Sequence, residues 1–340
     1  MYWLRIPEKV YFKKGCMPVA LDELKSVYGK KKAFIVTDLL LYKNGAVSAI
    51  EKELDSLSIQ HFCYFNIKDS ADFKTLCEGA KAVKLFEPDV IVAFGSGTAI
   101  DSAKLMRFMY EYPEIDIREI SSDFNDITCR EKIFPKQGIK SFLTAIPDIN
   151  GNASEVSPYA VFYDNDEEYI VADYELMPDM AVVDGDFMLV HKKEQAAKAG
   201  LNALVRAVNA FDSQTATEYT DGFAEKAIRN IIDYLPEVIN SGSDAPKSCE
   251  KLGEAITMSA IAYANTSSII NVDGTSEYLA DIVRISAAES EDARSDYAEL
   301  GKALGLSGND EKEITDNLVS VIENVVCLCG IQNKQMQCDV

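Results

Sequence analysis

Ile91-Val92-Ala93-Phe94-Gly95-Ser96-Gly97-Thr98-Ala99-Ile100-Asp101-Ser102-Ala103-Lys104 holds the deciding pattern of this 340-residue chain. An apolar run meets Gly-Ser-Gly and a helical spacing follows, as where a buried strand hands over to a helix whose first turn presents unsatisfied N–H groups. Such a turn suits a phosphate. Gly95 and Gly97 let the backbone come close, Ser96 lies between them, Thr98 adds a hydroxyl, and Asp101 can cap or brace the helix start. A plain strand-to-helix turn fits the local pattern equally well, so the flanking sequence decides.

On the N-terminal side, residues 33–38 read as a buried strand ending in Asp38, residues 44–57 as a helix and 59–65 as the next strand. Asp72 caps a helix carrying Leu76, Ala80 and Val83, which stops before Pro88. The strand 90–94 and a helix over 101–112 complete a βαβαβ order. That order predicts parallel strands in a doubly wound sheet, with a ligand crevice at their C-terminal ends. Asp38 and the Gly95–Thr98 turn both fall at such ends. An acidic residue there accepts from a ribose hydroxyl while the turn holds a pyrophosphate, so the pair points to a dinucleotide. The spacing departs from G-x-G-x-x-G, and the domain is therefore Rossmann-like. Residues 113–135 are irregular and polar, 141–146 form a strand, and 159–163 with 169–172 flank a hairpin turn at Asp164-Asn165-Asp166. Residues 180–184 close this α/β half.

Beyond Asp184 the apolar period changes to that of a helix. Residues 193–213 form one helix, and Thr220 caps another striped by Phe223, Ala227, Ile231, Leu235 and Ile239. Further helices cover 247–264, 291–304 and 311–329, the last striped by Ile314, Leu318, Val321, Ile322 and Val325. The chain is thus expected to divide into an α/β domain over 1–184, an all-α domain over 185–331 and a fraying polar tail over 332–340.

Composition narrows the functional classes. A hydrophobic fraction of 47% supports real cores, and a net charge of −21 argues against nucleic acid or an anionic membrane as the main partner. No apolar run approaches the ~20 residues that span a bilayer, and the opening residues lack a signal peptide's apolar core. The expected location is cytoplasmic. Eight cysteines are scattered without C-x-x-C spacing and read as packing residues. Only two histidines exist, His61 and His191, so no site needing several imidazoles can be built, and both read as structural or surface residues.

Ile6-Pro7-Glu8-Lys9-Val10-Tyr11-Phe12-Lys13-Lys14-Gly15-Cys16, Phe34-Ile35-Val36-Thr37-Asp38, the Gly95–Lys104 turn and Ala172-Asp173-Tyr174-Glu175-Leu176-Met177-Pro178-Asp179-Met180-Ala181-Val182-Val183-Asp184 together resemble the iron-dependent (group III) alcohol dehydrogenases. The likeness is strongest to the alcohol dehydrogenase part of bacterial bifunctional aldehyde-alcohol dehydrogenase, over about residues 2–285 and again over about 296–331. It implies the fold of the dehydroquinate synthase-like and iron-containing alcohol dehydrogenase group, here truncated. In that family a dinucleotide domain faces a helical domain, NAD lies on the Gly-rich turn, and a metal between the domains polarises the alcohol or aldehyde oxygen.

This chain departs from the family pattern at its chemistry. The family's ligands are one Asp and three His. Its Gly-x-Asp-Ala-x-x-His motif reads here Gly200-Leu201-Asn202-Ala203-Leu204-Val205-Arg206, with Asn202 and Arg206 in the ligand places. The next motif aligns on Asn265 with Val272 and Ser276 in the histidine places, and the Pro-His-Gly position falls near Arg284-Ile285-Ser286. A segment that follows in the family, and its final helices, have no counterpart. No iron or zinc is expected. On the cofactor side, Asp38, Gly95, Gly97, Thr98 and Asp101 keep the pattern, with Ser96 replacing a middle Gly. The phosphate-contacting Thr-x-x-Gly-Thr-Gly-Ser-Glu segment has become Asp148-Ile149-Asn150-Gly151-Asn152-Ala153-Ser154-Glu155, and a Lys after the hairpin matches Glu168. Asn152 is still placed to touch cofactor, but the added negative charge weakens NAD(H) binding by roughly ten- to a hundredfold.

The resulting expectation is a metal-free, catalytically silent homologue with a binding, regulatory or assembly role. Its partner would be a second copy or a full-length aldehyde-alcohol dehydrogenase. The alternative is an NAD(P)-dependent alcohol dehydrogenase or aldehyde reductase working without metal, with Arg206 as the electrophile and Asp273 or Glu277 holding it. A small-molecule sensor binding nucleotide is a third class.

Overall fold

The computed structural model describes residues 3–68, 70–121, 134–189, 192–266 and 276–330. Two compact units result, Arg5–Leu189 and Val190–Val340 with Met1–Leu4.

The first unit begins with β1 (Lys9–Phe12), α1 (Met17–Ser26), β2 (Lys32–Asp38), α2 (Leu39–Lys43), α3 (Val47–Ser56) and β3 (Gln60–Ile67). It continues with α4 (Phe73–Phe86), β4 (Val90–Gly95), α5 (Gly97–Glu111), α6 (Ile117–Ile120) and β5 (Phe142–Pro147). The hairpin β6 (Tyr159–Asp164) and β7 (Glu167–Ala172) precedes β8 (Met180–Val183). Six strands form one parallel sheet in the order β1-β8-β5-β4-β2-β3. The βαβ repeat makes this order, because a parallel neighbour needs a crossover helix.

Period-2 alternation assigns each strand residue to one of two cores. Ala33, Ile35, Val92 and Phe94 pack with Leu21, Leu24, Ile50 and Leu54 of α1 and α3. Phe34, Val36, Ile91 and Ala93 pack with Leu76 and Val83 of α4 and Ile100, Leu105 and Phe108 of α5. Every residue of β4 is buried, as its place between β2 and β5 requires. The two-residue turn Asn165-Asp166 of the hairpin takes φ of 51° and 65° at its centre, where Asn and Asp tolerate left-handed backbone. The Asp184 carboxylate after β8 accepts the N–H groups of Gly15 and Met17, each at 2.8 Å, and so fixes the start of α1.

Boundaries move where caps differ from the sequence reading. The helix expected over 44–57 is α3, and the short helix α2 stands before it as an unexpected element, opened by Asp38 accepting the Leu41 N–H. Asp72 caps α4 as expected, accepting from the Thr75 N–H at 2.8 Å. α5 starts at Gly97 rather than Asp101, since Ser96 is the cap and accepts from the Ala99 N–H. β1 and α1 were not separately foreseen.

The second unit is helical throughout its described residues: α7 (Lys193–Phe211), α8 (Glu218–Ser241), α9 (Pro246–Ala264), α10 (Leu279–Glu289), α11 (Glu291–Ala303) and α12 (Glu311–Leu328). Thr217, not Thr220, caps α8, and Thr220 returns its hydroxyl to the Thr217 N–H at 2.7 Å in a reciprocal box. α10 was not anticipated. Leu279, Ala280, Val283 and Ala287 give its buried face, and Arg284-Ile285-Ser286, near which the Pro-His-Gly position falls, lies inside it. No helix among the described residues is long and apolar enough to cross a membrane.

Candidate functional site

Strand order places the crevice. β2 leads to β3 on one side, whereas the chain then crosses to β4 on the other, so the topological switch point lies between the C-terminal ends of β2 and β4. Asp38 ends β2 and Gly95 ends β4. Gly95 has φ +124°, and a Cβ there would stand 3.0 Å from Asp38 Oδ2 and 2.6 Å from Leu41 Cδ1. Only glycine permits both that backbone and that approach.

The loop after β5 closes on the same turn. The Asp148 N–H donates to the Gly95 carbonyl at 3.1 Å, and the Gly97 N–H donates to the Asn150 carbonyl at 3.0 Å. A Cβ on Gly97 would lie 2.9 Å from the Asn152 Cβ and 3.0 Å from the Gly151 oxygen, so this glycine is required by close packing of two loops. Asn152 and Ala153 follow with φ of 49° and 72°. Asp38, Gly95, Ser96, Gly97, Thr98 and Asn152 are therefore gathered at one end of the sheet. Asp148 joins them. Its carboxylate accepts from the Asn150 N–H at 2.8 Å and from Asn150 Nδ2 at 3.2 Å. Burial, opposed by the Asn150 bonds and reinforced by the charge of Asp38, raises the Asp148 carboxyl to about 6.

Asp101 has the bracing role rather than the capping one. It is buried, accepts from the Val161 N–H at 3.2 Å, and stands 3.6 Å from the Lys104 ammonium. Lys104 is also buried and donates to the Ser157 carbonyl, the Ser157 hydroxyl and the Tyr159 carbonyl at 2.8–3.0 Å. Burial lowers its pKa to about 8 despite the nearby carboxylates of Asp101 and Glu155. Together they bolt α5 to β6. The Asp-x-x-Lys spacing, which puts both side chains on one helix face, was the available signal for Lys104. Glu168, aligned with a family Lys, lies on β7 and accepts from the Tyr163 hydroxyl at 2.7 Å.

In the helical unit, Asn202 and Arg206 lie one turn apart on α7, both buried. α7 packs against the short 3₁₀ turn Ser276–Tyr278, which carries the buried Ser276 and the half-buried Glu277. Val272 and Asp273 lie outside the described residues. Among the described residues no group of three or more His, Cys, Asp or Glu side chains is placed to hold a metal ion. His61 stands on β3 with Nδ1 3.6 Å from Asp55, and His191 is outside the described residues. Six described cysteines carry free thiols, and burial pushes those of Cys63 and Cys329 up to about 12.

A parallel α/β unit followed in the chain by a helical unit is a doubly wound class of fold whose ligand crevices lie at a switch point of the sheet. Comparison gives the family. The iron-containing alcohol dehydrogenase pattern matches residues 7–185, and the C-terminal pattern of the Fe-containing alcohol dehydrogenases matches residues 196–271. The chain belongs to the iron-containing alcohol dehydrogenase family. It is 42% identical over 267 residues to the aldehyde-alcohol dehydrogenase of Clostridium acetobutylicum, a match covering 78% of this chain and 31% of that protein. It is 26% identical to the NADPH-dependent butanol dehydrogenase of Clostridium saccharobutylicum, over 98% of this chain and 84% of that one. The iron-containing alcohol dehydrogenase structure from Thermococcus thioreducens superposes with a TM-score of 0.86 at 25% identity, covering 97% of this chain and 86% of that one.

Proposed function

We propose that this chain is a metal-independent, catalytically silent member of its family, which keeps a nucleotide crevice and works by binding. The observation that carries the reading is the pair Asn202 and Arg206, buried one turn apart on α7. An amide oxygen is a weak neutral ligand and a guanidinium is a permanent cation, so this pair opposes a divalent ion. The iron that the fold family implies does not fit these side chains. Hydride transfer to or from an alcohol needs an electrophile on the substrate oxygen, and without one its main stabilisation is lost. NAD(H) affinity is reduced by Asp148 beside Asp38. A second copy, or a full-length aldehyde-alcohol dehydrogenase, is the partner we propose for an assembly role, supported by the likeness to such proteins.

Elemental analysis of the purified protein, with NADH oxidation followed against acetaldehyde, tests the reading. Iron and zinc well below one atom per chain and no oxidation above buffer are expected. Stoichiometric iron or zinc overturns it. Turnover without metal, abolished by Arg206→Met, would instead identify a reductase whose electrophile is Arg206.

A further inference from the structure

At the C-terminal ends of β2 and β4 two acidic residues, Asp38 and Asp148, come to the same glycine, Gly95. Asp148 is fixed there, because its N–H is tied to the Gly95 carbonyl at 3.1 Å and its carboxylate to Asn150 at 2.8 and 3.2 Å. Asp38 stands over the same glycine, with Oδ2 3.0 Å from where a Cβ on Gly95 would be. The helix turn that would greet a phosphate is already engaged: the Gly97 N–H is taken by the Asn150 carbonyl and the Ala99 N–H by Ser96 Oγ.

We infer that Asp148 sets the ligand class of this crevice, which takes a ribonucleoside lacking its diphosphate in preference to a nucleotide carrying one. A diphosphate brings its charge beside two carboxylates, with two first-turn amides already committed, and the repulsion costs roughly ten- to a hundredfold in affinity. A neutral nucleoside brings hydroxyl donors that the same carboxylates accept. The inference rests on the nucleotide-crevice reading above and adds what that crevice selects.

Calorimetric titration of the whole chain at pH 7.5 with adenosine and with ADP, which differ only in the diphosphate, tests it. The wild-type chain is expected to bind adenosine at least as tightly as ADP. Asp148→Thr and Asp148→Asn, which each remove one of the two charges, are expected to tighten ADP about five- to tenfold while changing adenosine by less than about twofold. Either variant with a native melting transition suffices. A wild-type preference for ADP of tenfold or more, or variants that leave the ratio unmoved, overturns the inference while the nucleotide crevice stands. If neither ligand binds the wild type or a folded variant, both the inference and the crevice reading fall.

Discussion

Ala153 is fully buried and held at φ 72°, ψ 8°, where a side chain with a Cβ is strained by about 1 kcal/mol against glycine. The family pattern has glycine at this position. Ala153→Gly is therefore expected to raise stability by about 1 kcal/mol and the melting temperature by ~2 °C, read by differential scanning calorimetry. A fall would mean that the lost methyl packing outweighs the relieved strain. Asp148, in the same loop, has its carboxyl raised from 3.8 to about 6 in the folded chain. Its ionised form is thus disfavoured by folding, a penalty present in full above pH 6 and relieved as pH falls from 6 towards 3.8. Asp148→Asn removes that penalty, so its gain in melting temperature is expected to be largest near pH 7.5 and to shrink through pH 6. A gain independent of pH would show that the carboxylate is not the cause. Neither effect was legible from residue type. The sequence displayed an Ala and an Asp in place of family residues, but strain needs a backbone angle and a pKa needs burial.

At the scale of elements, α5 is held by groups that cross to it from elsewhere in the chain. Its buried Lys104 meets three oxygens from the segment leading into β6 and the Asp101 carboxylate on its own face. Lys104→Met leaves Asp101 buried without its cation and removes donors to three acceptors, so a loss of about 3–5 kcal/mol is expected in urea unfolding. A loss under about 1 kcal/mol would mean that the pair contributes little beyond filling space. Element existence was mostly readable because apolar periodicity survives in single segments, as in α8 and α12. Ends were less so. Ser96 and Asp38 took caps that the period alone places later, since a cap is chosen by which oxygen reaches which N–H. α10 lies in a stretch read only for its match to a ligand motif, although its Leu279, Val283 and Ala287 have helical spacing.

At the largest scale, apolar periodicity was enough to settle the class of fold. Alternating buried strands and amphipathic helices admit a parallel sheet covered on both faces, and the period change after Asp184 admits a helical unit. The sequence also displayed only two histidines in 340 residues, fewer than the three that the resemblance implies for a ligand set. The pairing of Asp38 with the Gly95 turn was readable from the strand ends, whereas the closure of Asp148 on Gly95 needed the folded chain, because the neighbouring places of β5 and β4 are not written in either strand. Only the tertiary structure decided that Asp101 and Lys104 are a brace, because their partners Ser157, Tyr159 and Val161 arrive by a long-range return of the chain. The physical reason is the same in both cases. Local pattern fixes which face of an element is apolar, whereas charge, strain and donor satisfaction depend on the neighbours that packing brings within hydrogen-bond distance.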